Sequence, residues 1–414
     1  MTADSPPGRE VWRTNLAVLV GAQLLAVSAM GILIPLIPFF VRELGTTDRA
    51  AVERWSGLIF SGPFLMAALL SPVWGWAGDR FGHKRMVVRA VIGLAVVNFL
   101  LVFVETPLQF WIIRLVQGAV TGFIPAALAI TSSSTPPAHL PDAMGRLSAS
   151  ASAGRLLGPA IGGMLAAFLA FRQLFLVTGV IISIAAVVVM VFLKEPPRAP
   201  GRPPSAAKNM RWILAEPRMR LALPGLLLSM AGVSMVMPIF PLYVEDLLGA
   251  GIDPKFVTGL GFAVVAGATL IGASLLGRVT ARIGLKVVLV GSLVLTAVAL
   301  ALHPLASGVP SMIALRVLLG FAVAGVAPVL HTMISRAAPD GMRGGVTGYA
   351  SSATILGFFV GPLVGGWLAN HVGVSGVFVV AAGVSAACGA GAAVVARRLG
   401  RDRDLVPAAV DIPR

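Results

Sequence analysis

Charge is what this chain has least of. Asp, Glu, Lys and Arg supply 12% of its 414 residues, against about 25% in an ordinary soluble domain. That shortage excludes a water-soluble globular protein, which needs more charge to cover its surface. Cysteine is nearly absent. The single one, Cys388, excludes an intrachain disulfide and a multi-cysteine metal site. It lies in the last apolar block and reads as a small core residue. No His, Cys, Asp or Glu group shows metal-ligand spacing, and no nucleophile stands beside a base. The chain therefore reads as a non-enzyme, with no cofactor and no metal expected.

Apolar residues are abundant instead. They make up 57% of the sequence and fall in blocks near the 20 residues that cross a bilayer as a helix. Alternating strands of about 10 residues, the signature of an outer-membrane barrel, are not seen. The blocks run 15–41, 55–76, 86–104, 109–131, 146–171 and 173–193, then 221–244, 256–277, 287–305, 310–335, 344–370 and 375–396. Between the sixth and seventh lies EPPRAPGRPPSAAK, whose Pro-rich basic composition suits a solvated linker and not a packed segment. No small-residue cleavage site follows a short apolar region near the start, so the first block reads as an uncleaved span. The predicted fold class is an all-α membrane protein of about twelve transmembrane helices in two six-helix bundles. Residues 1–193 form the first bundle, 194–220 a cytoplasmic linker, and 221–414 the second bundle with a short cytoplasmic tail.

The formal charge of +15 would suggest nucleic acid in a soluble protein. Here it has another origin. Arg42, Arg49, Arg54, Arg172 and Lys255 fall on one side of the membrane, and Arg114, Arg155 and Arg316 within spans. All other Lys and Arg residues fall in the tails and in the connections on the opposite side. That bias places both termini and the linker in the cytoplasm. It leaves no excess that calls for nucleic acid. A cell inner membrane is the expected location, with the lipid bilayer as the main partner and the monomer as the working unit.

The two bundles repeat one another. GWAGDRFGHKR from Gly75 recurs as GRVTARIGLKV from Gly277, and Arg114 and Gly118 recur as Arg316 and Gly320, all shifted by 202. GPAIGG from Gly158 recurs as GPLVGG from Gly361, and PLIPFFV from Pro35 recurs as PIFPLYV from Pro238, both shifted by 203. Duplication of an even number of spans gives two halves inserted the same way, related by a pseudo-twofold axis along the membrane normal.

Three motifs carry mechanism. Gly75, Gly78, Asp79, Arg80, Gly82, Lys84 and Arg85 lie between the second and third spans. Glycines there let another helix approach, and Asp79 can face the positive end of a helix. Arg114, Gln117 and Gly118 lie in the fourth span. Gly154, Gly158, Pro159, Gly162 and Gly163 lie in the fifth, matched by Gly361 and Pro362 in the eleventh. Gly-Pro loosens the helical ladder, and small residues allow a close interface that can rock.

Together these blocks resemble the signatures of the major facilitator superfamily. The run WSGLIFSGPFLMAALLSPVWGWAGDRFGHKR is most similar to bacterial multidrug-resistance exporters of the drug:proton antiporter branch. The resemblance implies alternating access, export of amphiphilic small molecules, and proton coupling. It implies that Asp79 belongs to a cytoplasmic latch, made when the protein opens outward and broken when it opens inward. The second copy has Ala281 at that place, so an acidic latch is one-sided. Alternatives are a dedicated exporter of one metabolite, siderophore or lipid, and a transport-dead sensor on the same scaffold.

The cavity is expected between the halves, lined by Gln23, Met30, Gln117, Phe123, Arg155, Met230, Met235, Met237 and Phe321. None of the acids falls at mid-membrane, which departs from many relatives. Asp142 and Asp340, each after a proline, read as helix N-caps. His303 and His331 sit near span ends and read as structural. An unpaired cation in an apolar cavity is strongly disfavoured. Neutral, zwitterionic or anionic amphiphiles are therefore expected to be handled better than quaternary ammonium compounds.

Overall fold

A computed structural model describes residues 8–166, 168–195, 206–248, 253–339 and 342–398. The described part is helical. The first half contains α1 (Gly8–Ile32), α2 (Ile37–Glu43), α3 (Arg49–Phe81), α4 (His83–Leu101), α5 (Pro107–Val120), α6 (Phe123–Ser134), α7 (Leu140–Leu165) and α8 (Phe171–Phe192). A connecting helix α9 (Ala206–Ala215) follows. The second half contains α10 (Pro217–Met235), α11 (Phe240–Leu247), α12 (Pro254–Ile283), α13 (Leu285–Leu302), α14 (Val309–Val323), α15 (Val326–Ala337) and α16 (Arg343–Arg398).

Local chemistry sets the boundaries. The Asp48 carboxylate accepts from the Ala51 N–H to start α3, and Asp253 accepts from the Lys255 N–H to start α12. Thr106 and Gln109 form a reciprocal capping box on α5. Pro107, Pro217 and Pro254 occupy first-turn positions, where a missing N–H costs nothing. The turns from α3 to α4 and from α12 to α13 pass through Gly82 and Gly284, with φ of 99° and 87°. These are repeat mates, and a side chain is strained at either.

Among the described residues, nine helical stretches are long and apolar enough to cross a membrane. One of them, Gly345–Val394, is divided at Gly373, where φ is 73°. Helices α4 and α7 are 19 and 26 residues long. They are less apolar, because α4 opens on Lys84, Arg85 and Arg89 and α7 is rich in Ser and Gly. Ten crossings plus these two make twelve. Four of the expected spans are broken. The first breaks at residues 33–36 and the seventh at 236–239; the fourth breaks at 121–122 and the tenth at 324–325. Each pair of breaks is offset by the repeat shift.

Apolar packing is uneven along the bundle. One buried cluster joins both halves, with Phe40, Phe60 and Phe110 beside Phe240 and Phe378. Two other clusters keep to one half each, around Leu19, Val91 and Ile182 and around Leu226, Leu293 and Leu330. The halves are therefore fused at the face away from the linker and separate at the linker face. The outer surface of α8 exposes Ile184, Val187 and Val191, a contiguous apolar face that suits lipid.

The last part of the linker is helical. Helix α9 is amphipathic, and its Ile213 and Asn209 are buried, Asn209 against Gly345. Apolar Trp212 and Ile213 give α9 a face to bury, which the Pro-rich run before it lacks. Residues 196–205 and the tail beyond 398 lie outside the described residues, as does Asp340. Asp142 is not an N-cap. It sits inside the first turn of α7 and pairs with Arg146 at 3.0 Å, because α7 begins at Leu140, two residues earlier.

Candidate functional site

The face away from the linker is sealed in three places. At its centre Arg42 donates to the Glu245 carboxylate at 2.5 Å. Arg49 donates to both oxygens of Asp246 and reaches Glu53, on its own helix, at 3.3 Å. Arg42 and Glu245 are 203 residues apart, the repeat offset. Residues related by a twofold axis can touch only on that axis, so this pair marks the pseudo-twofold. On either side two helices from different halves meet at glycines. A Cβ on Gly57 would lie 2.6 Å from the Pro362 carbonyl and 3.1 Å from the Gly366 Cα. A Cβ on Gly259 would lie 2.6 Å from the Gly163 Cα. Gly57 and Gly259 are repeat mates, as are Gly163 and Gly366. The seal is thus an axial ion pair flanked by two equivalent glycine contacts.

The linker face is open. The Asp79 side chain is 68% exposed, and its ion-pair partner is His83 on the next turn, at 3.6 Å. Trp76 and Phe81 are exposed, and a Cβ on Gly75 or Gly277 would meet nothing within 4 Å. Gly78 packs on the His83 ring, and Arg80 lies over Trp76 and Phe81. Lys84 and Arg85 extend from the first turn of α4. The Glu195 carboxylate accepts from the His83 and Lys84 N–H groups at 2.8 and 2.6 Å. A carboxylate at a helix N-terminus is favourable, so the linker is tied to this loop. Asn15 holds the adjacent Lys194 backbone through two 2.9 Å hydrogen bonds.

The two arginines of the repeated fourth-span motif are buried within their own halves. Arg114 donates to the Ile59 carbonyl at 3.1 Å and to the Gln117 side chain. Gly118 lies against the Pro63 backbone, so this motif fastens α5 to α3. Arg316 has a different solution and stacks over the Phe240 ring at 3.3 Å. Gly320 lies against α12, where the Thr269 hydroxyl donates to its carbonyl at 3.0 Å. In the fifth-span motif, Gly154, Gly158 and Gly162 meet α1 inside the first half, and Gly163 alone meets the second half. Gly361 repeats the inner contact against Ala231 of α10, beside Pro362 at the Gly57 seam.

The expected cavity residues divide. Gln23 is buried, and its amide donates to the Leu147 carbonyl at 2.9 Å, tying α1 to α7. Phe123, Met230 and Met235 are buried in helix packing. These four do not line the open space, because apolar periodicity alone leaves the rotation of a span undetermined. Met30, Met237 and Phe321 are half-buried, Phe321 against Gly272. Pro159 packs on Gly31. Arg155 is exposed, well inside the length of α7. Sequence reasoning missed Arg42, Arg49, Glu245 and Asp246. It also missed the apolar recess of about 400 Å³ between α10 and α16, lined by Leu223, Leu227, Leu228, Tyr349, Ala353 and Leu356.

A duplicated helical bundle, fused at one membrane face and open at the other around a largely apolar space, defines a transporter scaffold. The sequence profile of the Major Facilitator Superfamily matches residues 19–268 and 222–411, and the chain belongs to that family. It is 32% identical over 382 residues to the multidrug resistance protein MdtG of Enterobacter lignolyticus, covering 90% of this chain and 89% of that protein. The MdtG of Salmonella typhimurium is 32% identical over 380 residues, covering 90% and 93%. The fold matches the nucleoside transporter NupG with a TM-score of 0.74 at 14% identity, covering 92% of this chain and 98% of that one. It matches a bacterial homologue of the lysosomal transporter Spinster, solved inward-facing and occupied, with a TM-score of 0.76 at 15% identity, covering 95% and 98%. The chain is thus a multi-pass membrane transporter.

Proposed function

We propose that this protein exports amphiphilic small molecules from the cytoplasm of a bacterial cell across its inner membrane, by alternating access and as a monomer. The observation that carries the reading is the asymmetry of closure: an axial ion pair and two glycine seams at one face, and an exposed, disengaged Asp79 at the other. The positive-inside bias supports placing the linker face, and so the open cavity, in the cytoplasm. That is where an exporter loads. Likeness to proteins named for multidrug resistance supports amphiphilic substrates, and the antiporter-type Gly-Pro motif supports proton drive. Dye efflux from energised cells tests the reading. Extrusion that stops with an uncoupler is expected; extrusion indistinguishable from cells lacking the gene overturns it. Reporter fusions within the linker should be active only in the cytoplasm, and periplasmic activity would reverse the orientation.

Asp79 pairs with His83 of its own loop here, because its partner across the halves belongs to the other state. Closing the linker face would bring it to a helix N-terminus of the second half, an interaction worth ~0.3–2 kcal/mol. Asp79→Asn is expected to slow export by a few-fold to about 30-fold, on the same scale. Substitution at Ala281 should change it little. Equal initial rates for Asp79→Asn and the unaltered protein, at matched expression, would remove Asp79 from the cycle.

A further inference from the structure

The two seams between the halves are equivalent by repeat but not by content. Toward the linker from the Gly57–Gly366 contact, Phe64 and Phe358 fill the first seam, with rings stacked at 5.4 Å. Their repeat mates occupy the second seam, toward the linker from the Gly163–Gly259 contact. The mate of Phe358 is Arg155, and the mate of Phe64 is Ala266. Two large side chains at these positions are thus replaced by one cation and one methyl group. The neighbouring Gly267 has nothing within 4 Å of where a Cβ would stand. The second seam is therefore a crevice where the first is filled.

Arg155 lies on the α7 side of that crevice and is exposed. At about 100° per residue, it lies about 20° around α7 from Gly162, which meets α1, and about 80° from Gly163, which meets α12. It falls on the arc between those two contacts, facing the space between the halves. Ser148 and Ser152 are exposed on the same side of α7. The cavity wall also exposes apolar positions, Gly21 and Leu25 on α1 and their mates Pro224 and Leu228 on α10, and the uncharged Ser352 on α16. Among the described residues Arg155 has no hydrogen-bond or ion-pair partner. Every described carboxylate lies near one end of the bundle. Asp79, Asp142, Glu195, Glu216 and Glu10, in the first turn of α1, are at the linker face, and the others are at the sealed face, including buried Glu53 one turn inside α3. An unpaired guanidinium deep in an apolar space is costly, and membrane arginines are usually paired or functional. Arg114 has hydrogen-bond partners and Arg316 has the Phe240 ring; Arg155 has neither kind of contact among the described residues.

We infer that the crevice between α7 and α12 is the head-group site for an amphiphilic anion. Arg155 donates to the anionic group, such as a carboxylate or sulfonate, and Ala266 and Gly267 leave room for it. The apolar body lies along the aliphatic and aromatic walls of the cavity. This rests on the export reading above and names the substrate class it favours. A guanidinium binds carboxylates and tetrahedral oxyanions through two parallel hydrogen bonds, which an ammonium cannot reproduce.

The test uses the full-length protein in nanodiscs of zwitterionic lipid. The probes are a naphthalene monosulfonate and the naphthalene trimethylammonium of the same body. Their binding is followed by fluorescence anisotropy. The sulfonate should bind at least about tenfold more tightly than the cation, the scale of a hydrogen-bonded charge. Arg155→Ala should remove that preference, Arg155→Lys should keep part of it, and Ala266→Phe should exclude the sulfonate by filling the crevice. A preference for the sulfonate that survives in Arg155→Ala overturns the site. Equal or tighter binding of the cation overturns the substrate class and leaves the export reading standing. Binding of neither probe, with dye efflux intact in cells, also overturns the site while export stands. Binding of neither with efflux absent overturns both.

Discussion

Arg42→Glu is expected to open the sealed face, and adding Glu245→Arg to close it again. The argument rests on the axis. Arg42 and Glu245 occupy one position of the duplicated unit, and they meet each other because that position lies on the pseudo-twofold. Identical charges there would repel. Divergence of the two copies to opposite signs made the position a clasp. The pair is about one-third exposed on each side, so its attraction alone is modest, about 0–1 kcal/mol for an exposed pair. Reversal does more than remove it. Arg42→Glu sets a carboxylate against Glu245, with Asp246 nearby, and a like-charge contact costs several kcal/mol. A population shift away from the sealed state of tenfold or more is expected, since each ~1.4 kcal/mol is a factor of ten. The swapped double variant places the same pair across the same axis, so its population should return to within a few-fold. Spin labels at Arg54→Cys and Phe256→Cys, on a Cys388→Ser background, would report the separation of α3 and α12. A single reversal that leaves the distance distribution unchanged would show that these charges do not hold the face. A double variant as open as either single would show that Arg42 acts through some other contact. The shift should shrink in high salt, because both side chains are within reach of screening ions.

The clasp was within one residue of being legible. PLIPFFV and PIFPLYV are followed directly by Arg42-Glu43 and Glu245-Asp246. Continuing the repeat by one position sets Arg against Glu, but nothing in a sequence says that the position lies on an axis. The spans, the duplication and the glycine motifs were legible, because bilayer thickness imposes a length and duplication leaves an offset. Side-chain direction was not. Gln23, Phe123, Met230 and Met235 have the polarity and size of cavity residues, yet each is turned into its own half by a rotation that only helix packing fixes. Arg155 stood out for the opposite reason, since a cation in a span must face something polar, a ligand or water. The vacancy opposite it did not. It appears only when Phe64 and Phe358 are compared in space with Ala266 and Arg155. Helix α9 was hidden too, because EPPRAPGRPPSAAK dominates the composition of the linker while the ten residues of α9, which begin at its last three, dock on the second half.

The glycines of these seams should fall into two classes, separable by what breaks. Gly57 and Gly366 touch across the halves, and neither has space for a methyl group. A Cβ at Gly366 would lie 2.6 Å from the Glu53 carbonyl and 3.0 Å from the Gly57 Cα. Both obstacles are backbone, which cannot rotate away as a side chain can. The helices must therefore separate, and the ion pairs beside them lose their geometry. They have somewhere to go, because this face must open in the other state. Gly57→Ala and Gly366→Ala should accordingly insert and fold normally while disfavouring the sealed state. Overpacking costs ~1–3 kcal/mol, which corresponds to a shift of about five- to 150-fold in the balance between states, and export should fall with it. Gly158 is different. Its Cβ would lie 2.5 Å from the Ser28 carbonyl and 2.8 Å from the Gly31 Cα, but both belong to α1 of the same half. No working state relieves that clash, so Gly158→Leu should lower the yield and melting temperature of folded protein. Gly21→Ala, with nothing within 4 Å, should do neither. Melting temperature and the α3–α12 label distance, read on the same four variants, decide the matter. If Gly57→Ala and Gly366→Ala melted early with an unchanged distance, the seam would be ordinary packing and not a gate. Conversely, a stable Gly158→Leu with an altered distance would move the hinge into the first half.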